Sequence, residues 1–124
     1  MTEQAIIESL APDLAKIRLT KTMLEKHIID ANESVRRLAL LCGIDYQQIG
    51  AGEKITRAAT MADGTDTAIN FYKTKRGDKR VSISRLNTHA RAGDLVGITY
   101  QTAGADVFLI INITATAERR NEVA

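Results

Sequence analysis

The chain has 124 residues, 17 basic and 15 acidic, with a formal charge of +2, 44% hydrophobic residues and a single cysteine. That length holds one domain, or a stalk plus one small domain, with room for a modest core. One cysteine excludes an internal disulfide and a multi-cysteine metal site, and no apolar run approaches the roughly 18 residues of a membrane-spanning helix.

In chain order, residues 2–10 read as a short helical piece. Pro12 and Asp13 then suit the first turn of a main helix, which the pattern extends to about residue 42 and which Gly43 ends. The basis is an apolar seam: Ile7, Leu10, Leu14, Ile17, Lys21, Leu24, Ile28, Ala31, Val35, Leu38 and Cys42 follow one another at steps of mostly three and four. The mean step of about 3.5 residues is that of a coiled coil. Lys21 interrupts the seam, either setting register or extending outward along its stem. A helix with such a stripe cannot bury it alone. Ile7, Leu10, Leu14, Ile17, Leu24, Ile28, Val35 and Leu38 are therefore the expected contacts of a homo-oligomer, a dimer, trimer or higher assembly.

Residues 44–52 read as a linker, after which the period changes from about 3.5 to 2. Strands are expected at 53–60, 67–73, 79–85, 94–101 and 105–113, punctuated by Asp63-Gly64, Arg76-Gly77-Asp78, Gly93-Asp94 and Ala103-Gly104. Short connections favour antiparallel neighbours. The last strand, from Asp106 to Ile113, is apolar on both faces, so it must be central or covered twice. The expected fold class is α+β: a helical oligomerisation segment over 1–43, the linker 44–52, a five-stranded antiparallel meander or small barrel over 53–115, and a charged tail over 116–124.

The charge is uneven. Residues 71–91 hold seven basic side chains against one acidic, a local +6. A turn at Lys75–Asp78 would bring Lys73 and Arg80 together across a hairpin, and like charges so placed are destabilising unless they hold an anion. Arg57, Tyr72, Lys73, Arg76, Lys79, Arg80, Arg85 and Arg91 are the candidate ligand-binding residues, with guanidinium forks for phosphate or carboxylate and Tyr72 to stack on a base. A solvated tip, charged to prevent edge-to-edge pairing, explains the same residues. Arg76-Gly77-Asp78 reads as a tight turn, and Gly50 to Thr56 as a hinge without phosphate-loop spacing. Cys42 falls on the apolar seam, and His27 and His89 lack the carboxylate or cysteine neighbours of a catalytic or metal site. Neither an enzyme nor a cofactor is expected.

The order of parts, a helical third ending at Leu41-Cys42-Gly43-Ile44-Asp45 and then a β-domain with Arg57 and the basic stretch Lys73–Arg91, resembles phage Thoeris anti-defence sponges. That resemblance implies a non-enzymatic oligomer that sequesters a nucleotide signal in the host cytoplasm. The final strand, Val107 to Ile113, lacks an arginine to meet a phosphate, a departure from that pattern. The layout is also similar to phage fibre and decoration proteins, which implies a virion subunit with a coiled-coil stem and a β-head. The expected function is capture of an anionic ligand, nucleotide or nucleic acid, on the basic hairpin. The virion subunit is the alternative, a DNA-binding regulator a third reading, and no membrane partner is expected.

Overall fold

Residues 14 to 19 alternate, with Ala15, Ile17 and Leu19 buried and Leu14, Lys16 and Arg18 exposed. That is the two-residue period of a strand, and in the computed structural model, which describes residues 13–115, the chain enters as strand β1, Asp13–Arg18. Helix α1 (Lys21–Lys26) and helix α2 (Glu33–Leu41) follow, then a 3₁₀ turn at Tyr46–Gln48. Strands β2 (Lys54–Met61), β3 (Asp66–Lys73) and β4 (Lys79–Ile83) come next, then the short helix α3 (Leu86–His89) and strands β5 (Leu95–Ala103) and β6 (Asp106–Thr114).

The six strands form one curled sheet in the order β1-β5-β6-β2-β3-β4. All neighbours are antiparallel except β2 and β6, which run parallel at Thr60–Ile110 and Met61–Ile111. β6 lies inside the sheet, one of the two placements its two-sided apolar pattern allowed. The concave face carries the core: Ile69, Phe71, Val81, Val96, Ile98 and Ile111 are all buried there. Val35, Leu38 and Ala39 of α2 cover it, and Tyr46 meets Phe71 edge-on at 6.3 Å between ring centroids.

Local chemistry explains the short helices. Thr20 is extended, and its Oγ1 accepts the Met23 N–H at 3.2 Å to start α1. His27 turns left-handed and stops it. Asn32 is again extended and caps α2 by accepting the Val35 N–H at 2.9 Å. Glu33 lies in the first turn of α2, where the hydrogen bond and charge of Arg37 hold its carboxyl below the usual range. Gly43, at φ +77°, ends the segment.

The stretch from Ile29 to Ser34 joins the two sheet edges. On β4, the Val81 N–H donates to Ile29 O and the Ala31 N–H donates to Lys79 O, both at 3.0 Å. On β1, Asn32 Nδ2 donates to Lys16 O at 2.9 Å, and the Lys16 N–H donates to Ser34 Oγ at 3.1 Å. Backbone groups that would otherwise be open templates for another chain are thereby occupied.

This architecture overturns the expectation of a long coiled-coil helix followed by an antiparallel β-domain. Among the described residues the longest helix is α2, at nine residues. Of the expected oligomer contacts, Ile17, Val35 and Leu38 are buried against their own chain, Leu24 is half-buried, and Leu14 and Ile28 are exposed on separate elements. Ile7 and Leu10 lie outside the described residues, as does the tail 116–124. No boundary separates a helical segment from the sheet, because β1 is one of its strands. The segment read as a linker supplies Ile44, Tyr46 and Ile49 to the core. The five expected strands stand within two residues of their positions, but the sheet has a sixth and is mixed. No described helix is long and apolar enough to cross a membrane.

Candidate functional site

The turn between β2 and β3 sets their register, with Thr60 opposite Asp66 and, at the far end, Lys54 opposite Tyr72. Across the next pair, Tyr72 stands opposite Arg80 and Lys73 opposite Lys79. Paired residues share a face and successive residues alternate. One outer-face row therefore reads Lys54–Tyr72–Arg80, and the row beside it reads Thr56–Asn70–Ser82. The second row is hydrogen-bonded throughout: Thr56 Oγ1 lies 2.7 Å from Asn70 Oδ1, and Asn70 Nδ2 donates to Ser82 Oγ at 3.0 Å. A shallow cleft of about 330 Å³ runs over these rows, bounded by Gly52, Glu53, Lys54, Asn70, Tyr72 and Ser82.

The sequence expectation that Lys73 meets Arg80 is corrected by one residue, and one residue moves a side chain to the other face. Lys73 faces Lys79 instead. Arg80 is only 17% exposed and is held by Asp30 and Asp78, its Nε 2.8 Å from Asp30 Oδ1 and its Nη2 3.5 Å from Asp78 Oδ2. The Asp30 contact is a charge pairing, because the Nε–H is not aligned for a hydrogen bond. Arg80 is committed to joining β4 to its neighbours.

The connection from β3 to β4 is a tight turn. The Gly77 N–H donates to Thr74 O at 2.9 Å, and the Asp78 N–H donates to Thr74 Oγ1 at 3.0 Å. Gly77 sits at φ +90°, a conformation that favours glycine. Lys75 and Arg76 stand exposed at the tip. Gly52 approaches from the other side, its N–H on Lys73 O at 3.1 Å. Gly52 sits at φ +80°, and a Cβ there would meet Lys75 Cγ at an ordinary contact distance of 3.6 Å. Five cations, Lys54, Lys73, Lys75, Arg76 and Lys79, thus gather at one end of the sheet, and none of them makes a salt bridge among the described residues.

The remaining candidates lie elsewhere. Arg57 is on the concave face, half-buried beside Leu41, Cys42 and Leu109. Burial pushes the Cys42 thiol above its ordinary pKa, and the charge of Arg57 opposes this. Arg85 follows the opposite end of β4 from Lys79. Arg91 lies in the turn before β5, its N–H donating to the buried Asp94 carboxylate at 2.9 Å. The structure therefore brings Tyr72, Lys73, Arg76 and Lys79 to one end of the sheet, with Tyr72 on the face opposite Lys73 and Lys79, commits Arg80 to structure, and separates Arg57, Arg85 and Arg91. It adds Lys54, Thr56, Asn70, Lys75 and Ser82. Lys54 was within reach of sequence reasoning, since a turn centred on Asp63 places it opposite Tyr72.

Among the described residues no three His, Cys, Asp or Glu side chains are grouped to hold a metal ion. His89 Nδ1 lies 4.0 Å from Asp63 Oδ2. The Asp63 carboxyl is held below its usual range chiefly by hydrogen bonds from Thr65, with His89 a minor contribution. What the hairpin end offers chemically is positive charge, amide and hydroxyl groups and one aromatic ring. No protein-family model, curated protein or solved structure matches the chain.

Proposed function

We propose that the protein is a non-enzymatic nucleic-acid binder and that the β3–β4 hairpin end is its contact surface. The observation that supports this reading most is the group of five cations at one end of the sheet, none with a salt bridge among the described residues, Lys54 on the polar outer face and Lys73 and Lys79 on the other. Lys73 and Lys79 stand directly opposite each other, an arrangement that costs stability by itself and that a polyphosphate would relieve. Lysine and arginine neutralise phosphates and release counterions, which supplies sequence-independent affinity. Tyr72 adds a ring for base stacking. Asn70 uses one amide hydrogen on Ser82, leaving the second for a phosphate or base edge.

A captured mononucleotide fits less well. Small-ligand sites bury about 70–90% of their ligand, whereas the cleft beside Tyr72 is shallow and open to solvent. A polymer tracks such a surface without being enclosed. The proposal draws nothing from the resemblance to phage sponges and fibres, because the helical first third on which that layout rests is not present among the described residues.

The test is a titration of single-stranded and duplex oligonucleotides by fluorescence anisotropy between about 50 and 200 mM salt. Four phosphate contacts on duplex give a log–log slope near −3.6, which is about a hundredfold loss of affinity over that range. Replacing Lys73, Lys75, Arg76 and Lys79 together by alanine flattens the slope. Absence of binding at the lower salt concentration, or a slope unchanged in the quadruple variant, refutes the proposal.

A further inference from the structure

Eight described residues have left-handed backbone, and six of them are glycines: Gly43, Gly52, Gly64, Gly77, Gly93 and Gly104. The two exceptions are His27 at φ 55° and Arg85 at φ 60°. Both border the same cavity, a space of about 120 Å³ between α1 and the junction of β4 with α3. A side chain in this conformation costs roughly 1–2 kcal/mol relative to right-handed backbone, and glycine avoids that cost. The chain places glycine at every other left-handed position it describes, yet keeps an imidazole and a guanidinium at these two. Backbone strain of this kind concentrates at ligand clamps.

The cavity has the polarity of a binding site. Met23, Leu24, Ile83 and Leu86 give it an apolar floor, and His27, Arg85 and Asn87 form its polar side. Asn87 Nδ2 donates to Leu24 O at 3.3 Å, tying α3 to α1. His27 and Arg85 are exposed, and neither side chain makes a salt bridge among the described residues. A dry cavity of about 150 Å³ accepts benzene; this one is smaller but open to solvent on one side, so an aromatic ring or a short chain enters it in part. A guanidinium binds a carboxylate through two parallel hydrogen bonds. A histidine ring supplies at least one N–H in either tautomer.

We propose that this cavity binds a small amphiphilic anion, a carboxylate with a compact apolar body, held at its charged end by Arg85 and His27. The site shares only Ser82 with the nucleic-acid reading, since Arg85 and the hairpin cations lie beyond opposite ends of β4.

The probe is benzoate, titrated into the full chain and followed by ¹H–¹⁵N correlation spectra, with benzylamine and benzyl alcohol as comparisons. Benzoate is expected to shift the Met23, His27, Arg85 and Leu86 amides saturably, and benzylamine to leave them in place. Benzyl alcohol is expected to bind about tenfold more weakly, having lost the charge-assisted pair. Arg85→Gly and His27→Gly relieve the backbone, so both are expected to keep the melting temperature of the parent while Arg85→Gly loses benzoate binding. No saturable shift with benzoate up to about 10 mM, an equal response to benzylamine, or undiminished benzoate binding by Arg85→Gly overturns the proposal.

Discussion

Asn32→Ala tests how the curled sheet is held shut. The Asn32 side chain makes three hydrogen bonds at once, one of them accepted from the Ser34 hydroxyl at 2.7 Å. Its Oδ1 caps α2 through the Val35 N–H at 2.9 Å, and its Nδ2 donates to Lys16 O on the edge of β1, also at 2.9 Å. Loss of an asparagine cap costs about 0.5–2 kcal/mol, typically near 1. Loss of the hydrogen bond to Lys16 O costs about 0.5–1.5 kcal/mol, toward the lower end here because β1 residue Lys16 is exposed and water can replace the donor. The expected total is about 2 kcal/mol, a melting shift of roughly 6–10 °C for a domain of this size. Asn32→Ser separates the two parts. Serine caps about as well as asparagine but is too short to reach Lys16, so only about 1 kcal/mol is lost. Urea unfolding followed by circular dichroism reads both values from the midpoint at constant slope. If Asn32→Ala leaves the midpoint unchanged, or if Asn32→Ser costs nothing while Asn32→Ala destabilises, the edge-joining role assigned to Ile29–Ser34 is wrong.

Other outcomes follow from the same structure. Tyr46 is buried, its hydroxyl donates to Arg80 O at 2.7 Å, and burial raises the phenol above its ordinary pKa. The folded chain therefore keeps this proton when the unfolded chain releases it, so stability is intact below about pH 10 and falls as pH rises beyond. Tyr46→Phe is expected to lose about 1 kcal/mol at neutral pH and to show a shallower alkaline decline in urea midpoints; an equal decline in both chains contradicts the assignment. Lys73→Thr removes the like-charge pair with Lys79 and should stabilise by a few tenths of a kcal/mol, while making the salt dependence of oligonucleotide binding shallower by about one unit. Arg57→Leu should leave oligonucleotide affinity unchanged, because Arg57 lies opposite Ile69 and beside Leu41 and Cys42, away from the hairpin end; a large loss of affinity would place the contact surface elsewhere.

The later strands were legible in the sequence because two independent signals agreed. Alternation such as Val81 and Ile83 against Arg80 and Ser82 marks a half-buried strand, and Asp63-Gly64, Gly77 and Gly104 mark the turns where left-handed backbone is needed. The two-sided apolar run of β6 left a central or a doubly covered strand, and sheet order makes it an interior one. The first third was misread because Leu10, Leu14, Ile17, Leu24 and Ile28 satisfy helical spacing while Ala15, Ile17 and Leu19 equally satisfy strand alternation. The caps Thr20 and Asn32 were present in the sequence and mark two short helices in place of one long one.

Composition and period by themselves determined that five β-strands would form, where they would turn, and that a cationic segment would lie at a hairpin. Tertiary structure decided the rest. Residues 13–18 became a strand because β5 offers them a ladder of backbone partners within the same chain, which a lone amphipathic helix lacks. The grouping of Lys54 with Lys73 and Lys79, and the separation of Arg57, Arg85 and Arg91 from them, depend on strand register and sheet order. These are set by contacts between residues distant in sequence, which no local pattern encodes.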